Sequence, residues 1–422
     1  MSPMSAYYDQ LETRSAEARE SALMAALPDL VAHASARARG WRVRLQDVEP
    51  QAVSSRQALA QLPVLRKGDL KALQEQDPPF GGLTTVEPGQ LGRLFMSPGP
   101  IFDPEGVRED SWRAARALYA AGIRAGHVVQ NCFGYHLTPG AWMVDGAARR
   151  LGCAVIPAGT GQTEQQIELI RRFRPDAYTG TPSFLRIIVE KARELALDVS
   201  KLKRALLAAE ALPPSLRQWF HEQGIETVLQ WYGTADVGLI AYESSAMEGM
   251  ILDEELILEI VRPGTGEPVP DGEVGEVVVT SFNPEYPLIR FGTGDLSAVL
   301  PGISPCGRTN VRIRGWLGRA DQTAKVRGMF VHPGQVAEIT RRVPAASRAR
   351  LVIEGEMAND RMTLKCEVDA AKLAAAGGGE ALAARLADAI REITKLRGEV
   401  ELLDLGSLPN DGKVIEDARR YS

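Results

Sequence analysis

Between Trp112 and Ile156 the chain alternates segments of helical spacing with short apolar runs: Trp112 to Ala121, His127 to Gln130, Ala141 to Arg150, then Ala154 to Ile156. Helix and strand in strict turn demand a parallel sheet covered by helices, because a parallel neighbour is reached only by a long crossover. The pattern continues. Thr163-x-x-Gln166 has capping-box spacing ahead of a helix bearing Ile167, Ile170 and Phe173, and Thr181-Pro182 opens another helix after a strand near Ala177 to Thr179. Beyond Leu252 the texture turns to strands, Glu255 to Val261 and Glu273 to Ser281, parted by the turn-rich stretch from Arg262 to Pro268. From Gln322 it changes again: Met362, Leu364, Cys366 and Val368 alternate as a strand, and Leu382, Leu386, Ile390 and Ile393 line one helical face. The first eighty residues, with an amphipathic run from Leu11 to Arg39, read as an outer cap. The expected fold is α/β: residues 1–320 form a large domain of parallel-type sheets and helices plus a β-rich subdomain, and residues 322–422 a small α+β domain.

Charge narrows the function classes. Lys plus Arg number 49 against 54 Asp plus Glu, a net charge of −5, so neither nucleic acid nor an anionic membrane surface is expected as a partner. An anionic substrate then needs a local site. Cys132, Cys153, Cys306 and Cys366 stand apart with no C-x-x-C pair, and the first twenty residues lack the apolar centre of a secretion signal, which predicts a cytoplasmic protein. Ala125 to Val144 carries no charged residue over a length that spans a bilayer, but Gln130, Asn131, His136, Pro139 and three glycines break it. It reads as a buried strand, a loop and a helix start.

Four short patterns occur in order: Tyr232-Gly-Thr-Ala-Asp236, Arg290-Phe-Gly-Thr-Gly-Asp295, Gly318-Arg-Ala-Asp321 with Lys325-Val-Arg-Gly328, and Gly412-Lys413. With Phe133-Gly-Tyr-His-Leu-Thr-Pro-Gly140, Gly180-Thr-Pro-Ser183, Ala208-Ala-Glu210 and Pro305-Cys-Gly-Arg308, the ordered set resembles the phenylacetate-CoA ligase family of the adenylate-forming superfamily. The resemblance implies ATP-driven activation of an aromatic carboxylate to an acyl-adenylate, then transfer to CoA. It also implies roles. Tyr232, with Gly233 and Thr234, would offer a face to adenine; Asp295 would accept the ribose hydroxyls; Lys413 would stand between carboxylate and α-phosphate; Asp236 would help hold Mg²⁺. Ala209 and Glu210 would border the nucleotide, although Glu210 reads equally as a helix cap. Arg319 would reach the nucleotide, Asp321 would be the hinge of a mobile terminal domain, and Gly328 would line the pantetheine tunnel. Phe133, Tyr135 and Gly161 would line the acyl pocket, plain core packing being the other reading of the two aromatics. A homodimer is common in that family.

Three departures stand out. The family's glycine-rich phosphate loop is here Phe95-Met-Ser-Pro-Gly-Pro-Ile-Phe-Asp-Pro-Glu-Gly106, in which three prolines remove amide donors, the lysine is missing, and Asp103 and Glu105 add acid. Ser97 and Gly99 are what remains of the cradle. The cysteine-rich segment that holds zinc in some relatives is Ser304-Pro-Cys306-Gly, one thiol where a structural site needs about four ligands, so no zinc is expected. Asp236 replaces a glutamate. Two alternatives follow: an ATP-impaired nucleotide- or acyl-CoA-binding protein of the same fold, and an adenylating enzyme that loads a carrier protein.

Overall fold

The computed structural model describes residues 6–317, 319–320, 322, 324–327, 329–331, 333–355, 360–409 and 413–419. The chain divides into two compact units, Met1–Leu317 and Gly318–Ser422.

The first unit is built on a nine-stranded sheet. In spatial order its strands are Val299–Leu300, Arg312–Ile313, Met250–Leu252, Gly238–Tyr242, Thr227–Thr234, Arg204–Leu207, Ala177–Gly180, Val128–Asn131 and Ala154–Pro157. The last five pair parallel, as the alternation of helices and strands requires. Helices Ala115–Ala120 and Gly140–Arg150 pack on one another and share a core with Val129, Ala177, Leu206 and Leu229. The first of these is shorter than its apolar spacing suggests. Arg113 takes a left-handed backbone (φ 62°), and the Asp110 carboxylate accepts from the amides of Ala114 and Ala115, so the helix starts three residues late.

The strand Val128–Asn131 lies between Ala154–Pro157, which follows it in the chain, and Ala177–Gly180, which follows next. The order in which successive strands are laid down therefore reverses at this strand, while all three run parallel. Such a switch point opens a crevice at the carboxyl ends of the strands, where α/β folds of this type place ligands.

A second sheet, in order Leu65–Arg66, Leu288–Ser297, Gly275–Ser281 and Leu256–Val261, makes the β-rich part. Here the expectation of an outer cap fails. Leu23, Leu27, Leu30, Val31 and Ala34 of the helix Ala16–Arg37 form one stripe that is buried in the same core as Leu256, Val277, Leu288 and Phe291. The N-terminal segment also supplies the sheet's edge strand. Buried Arg19 grips Glu254 through Nε at 2.8 Å and Nη2 at 3.2 Å, and Arg14 adds a bond from Nε to the same carboxylate.

The second unit has a four-stranded sheet in order Glu399–Asp404, Arg361–Val368, Ala346–Glu354 and Ile415–Asp417. Leu351, Ile353, Leu364 and Cys366 from its strands meet Leu382, Leu386 and Ile390 of the helix Gly379–Thr394 in one core.

Replacing Glu254 by leucine leaves Arg19 buried without its counter-charge, and is expected to cost about 3 kcal/mol. Urea unfolding of the full-length protein measures it. A loss below about 0.5 kcal/mol, the range of ordinary surface substitutions, would mean that the N-terminal helix is not part of the core.

Candidate active site

Strands Thr227–Thr234 and Gly238–Tyr242 form a hairpin with Asp236 in its turn. Gly233 must be glycine, because a Cβ there would stand 2.4 Å from the Gly238 carbonyl oxygen. The Thr234 hydroxyl accepts from the Val237 amide at 3.2 Å and shapes the turn. On the facing sheet, Leu288–Ser297 carries Asp295. Buried Arg290 anchors that strand: its guanidinium binds both oxygens of Glu259, at 3.0 and 2.9 Å, and donates to the carbonyls of Ala60, Leu62 and Gly266.

These frames bring Tyr232 and Asp295 together. The Tyr232 hydroxyl donates to Asp295 Oδ2 at 2.9 Å and lies 3.2 Å from the Thr293 hydroxyl, while Trp316 Nε1 donates to Asp295 Oδ1 at 3.0 Å. Both side chains are largely buried, at 9% and 6% exposure.

Lys67, which no sequence signal singled out, completes the group. The strand Leu65–Arg66 pairs parallel with Leu288–Ser297, Leu65 opposite Phe291, so the next residue emerges beside this cluster. Lys67 Nζ sits 2.6 Å from Asp236 Oδ2. Burial lowers its pKa, but Asp236, Asp103 and Asp295 outweigh that and hold the ammonium above its ordinary value.

The segment that stands for a phosphate loop is a tight hairpin, Arg93–Ser97 against Ile101–Glu105, with Ser97 opposite Ile101. Its turn is Pro98-Gly99-Pro100, so Gly99 supplies the turn's single amide, and the Ser97 hydroxyl is spent on the Ile101 carbonyl at 3.3 Å. The two acids of this segment are not the free negative charges that the sequence suggests. Asp103 is fully buried beside the Ser97 hydroxyl and Asp236, and burial followed by the nearby Asp236 pushes its carboxyl up to about 8, against the pull of Lys67 and Ser97. Glu105 is also raised by burial, and Arg93 covers it at 2.9 Å. Burial thus holds the Asp103 proton to higher pH, and Arg93 compensates Glu105.

On the acyl side, Asn131 ends the switch-point strand. Its side-chain amide donates to the Tyr135 hydroxyl at 2.9 Å and the Ala141 carbonyl at 2.8 Å, and its Oδ1 accepts from the Phe133 amide and the Thr179 hydroxyl. Phe133 is buried edge-on against Trp231, the core-packing reading; Tyr135 is half-buried and meets Trp142 edge-on. Gly161 lies in an exposed turn with φ 76°. The Glu210 carboxylate accepts from the Ser183 amide at 3.2 Å in the first turn of the helix Pro182–Glu194, its helix-cap reading, and Ala209 beside it has φ 68°. The capping-box reading of Thr163 and Gln166 fails: Gln162 precedes the helix with φ 51° and no side-chain cap, and Gln166 is buried and bonded elsewhere.

Arg319 and exposed Lys413 belong to the second unit, and Asp321 and Gly328 lie outside the described residues. Cys306 stays apart from the group above. Burial raises its thiol, but Ser244, Ser304 and Arg308 outweigh burial and leave it below its ordinary value. Among the described residues, no group of three or more His, Cys, Asp or Glu side chains gathers as a metal site. No helix of the described residues is long and apolar enough to cross a membrane.

A carboxyl raised by folding binds its proton more tightly in the native state, so it costs stability as pH climbs from the ordinary carboxylate range toward about 8. Asp103→Asn keeps the shape without the titration. The variant should therefore melt a few degrees above the parent at about pH 8, with the gap closing toward about pH 5. Thermal melts across that range decide it; a gap that is constant with pH would refute the assignment.

The family model described as AMP-binding enzyme matches residues 135–283. Phenylacetate-coenzyme A ligase of Thermus thermophilus is 31% identical over 380 residues, covering 86% of this chain and 84% of its own length. The enzyme of that name from Escherichia coli is 31% identical over 342 residues, covering 77% and 78%. A crystal structure of 2-hydroxyisobutyryl-CoA ligase, in complex with 2-HIB-AMP and CoA, matches 100% of this chain and 94% of its own with a TM-score of 0.82 at 25% identity. The chain belongs to the phenylacetate-coenzyme A ligase family of AMP-binding enzymes.

Proposed function

We propose that this protein activates an aromatic carboxylic acid, aryl or arylacetic, as its acyl-adenylate and passes the acyl group to CoA. The observation that carries the reading is the junction of Tyr232, Asp295, Lys67 and Asp236, which sets one aromatic ring, two carboxylates and one ammonium side by side. Phenylacetate in the names of the curated relatives, and 2-HIB-AMP with CoA in the solved neighbour, support the acid class and the two-step route.

In the first step a carboxylate oxygen attacks the α-phosphorus of ATP, and pyrophosphate leaves with the bonding electron pair. Tyr232 would hold the adenine on its face, its hydroxyl locked on Asp295 so that the ring cannot turn. Asp295 accepts from Tyr232 on one oxygen and from Trp316 on the other, and a carboxylate is the acceptor that a pair of ribose hydroxyls would need. Lys67 brings positive charge beside a hairpin whose turn has a single amide donor. Lys413, from the second unit, would offset charge between the acid and the α-phosphate. In the second step the CoA thiolate attacks the acyl carbonyl and AMP leaves, with Arg319, Asp321 and Gly328 serving the changed arrangement that this step needs.

The residues present do not make a resident magnesium site. Asp236 is already paired with Lys67 at 2.6 Å, burial holds the proton on the neighbouring Asp103 to higher pH, and among the described residues no three His, Cys, Asp or Glu side chains gather as a metal site. Magnesium would arrive as the nucleotide's own counter-ion.

One rival has an observation behind it. The Pro98-Gly99-Pro100 turn cannot cradle a triphosphate with amides, which favours a protein that binds AMP or acyl-CoA without adenylating. Purified protein, given ATP and a panel of aromatic, arylacetic and short-chain acids, should release pyrophosphate only when an acid is present. Lys413→Ala should slow that release on the order of 10²-fold. No release with any acid, together with calorimetric binding of AMP but not ATP, would overturn the proposal in favour of the rival.

A further inference from the structure

We infer that Gln166 is a positioning residue that fixes the turn from Ala158 to Gly161 and thereby sets which acids the site accepts. The inference rests on the acyl-pocket reading above and extends it to a residue with no contact to the substrate.

The turn follows the strand Ala154–Pro157, next to the switch point, and it has little of its own to hold it. Gly159 and Gly161 adopt φ 67° and 76°, and a Cβ on either would meet nothing within 4 Å. Their side of the turn is open space. Its two glycines cost conformational entropy to order and offer no side chain to pack.

Gln166 supplies the missing order from beneath. It is 2% exposed. Its amide nitrogen lies 3.1 Å from the Ala158 carbonyl, 3.2 Å from that of Gly159 and 3.3 Å from that of Gly161, so its two protons are shared among three acceptors. Its Oε1 accepts from Gln130 Nε2 at 2.7 Å and from the Cys132 thiol at 3.4 Å, which fixes the amide's orientation. From the strand side, the Asn131 carbonyl accepts from the amides of Ala158 and Gly159 at 3.1 and 3.0 Å. The turn is thus clamped between the buried Gln166 side chain and the main chain of buried Asn131, on neighbouring elements. Asn131 also fixes the loop of Phe133 and Tyr135, so both candidate walls of the acyl pocket share one polar frame. A displacement of about 1 Å in such a wall is enough to disturb reactive geometry.

Gln166→Leu removes all three donor contacts at similar volume, and Gln166→Met does so with a more adaptable side chain should leucine misfold. Hydrogen exchange on the full-length protein should show the Ala158 and Gly159 amides opening about 10-fold faster in the variant, with the amides of the helix Thr163–Phe173 unchanged. In turnover the acid KM should rise about 10-fold while kcat and the KM for ATP stay within about 3-fold, and the ranking of acids by size should broaden. Unchanged exchange at the turn would overturn the positioning role whether or not the protein proves to be a ligase. Faster exchange with an unchanged acid KM and ranking would overturn the link to specificity. A parent protein that turns over no acid would fail the ligase reading, and with it the specificity half of this one, while exchange would still decide the clamp.

Discussion

The ammonium of Lys67 is what makes the candidate site electrostatically possible. Three carboxylates from three separate segments converge there, Asp103 from the hairpin, Asp236 from a turn and Asp295 from a strand. Bringing like charges into a buried space costs several kcal/mol per ion unless something neutralises them. One lysine and one retained proton offset two of the three, and Asp295 is held by the bonds it accepts from Tyr232 and Trp316. That arrangement depends on the edge strand Leu65–Arg66, which depends in turn on the N-terminal helix being part of the core. Helix, edge strand and charge balance form one chain of dependence from packing to chemistry.

The parallel sheet contributes a second constraint. At its switch point, Asn131 ends the strand next to Gln130, fully buried, with its side chain on the loop of Phe133 and Tyr135 and its carbonyl on the turn at Ala158 and Gly159. A buried polar group stays only where its bonds are made, and these bonds fix two loops at once. The aromatic residues that the sequence offers as pocket walls are therefore held by amides rather than by one another.

Much of the fold was legible because short apolar runs between helical segments admit few architectures, and the strands at Val128–Asn131, Ala154–Pro157 and Ala177–Gly180 fall where those runs are. The amphipathic stripe from Leu23 to Ala34 was legible as a helix, but periodicity says nothing of what a stripe packs on. Thr163 and Gln166 have capping-box spacing, yet three carbonyls of a glycine turn claim Gln166, so a tertiary demand overrides the local rule. Tyr232 and Asp295 were legible only through the order of motifs. Lys67 was not legible at all: it sits in an ordinary polar stretch and reaches the site through a strand pairing with residues more than two hundred positions away.

The indole bond from Trp316 to Asp295 has a consequence for how the site reports its state. Trp316 is 41% exposed and lies one residue short of the end of the first unit. On the proposed reading, a ribose that competes for Asp295 would disturb the hydrogen bond of a half-solvated indole. The protein thus carries its own fluorophore on the carboxylate that nucleotide would occupy, at the point where the chain leaves one compact unit for the next.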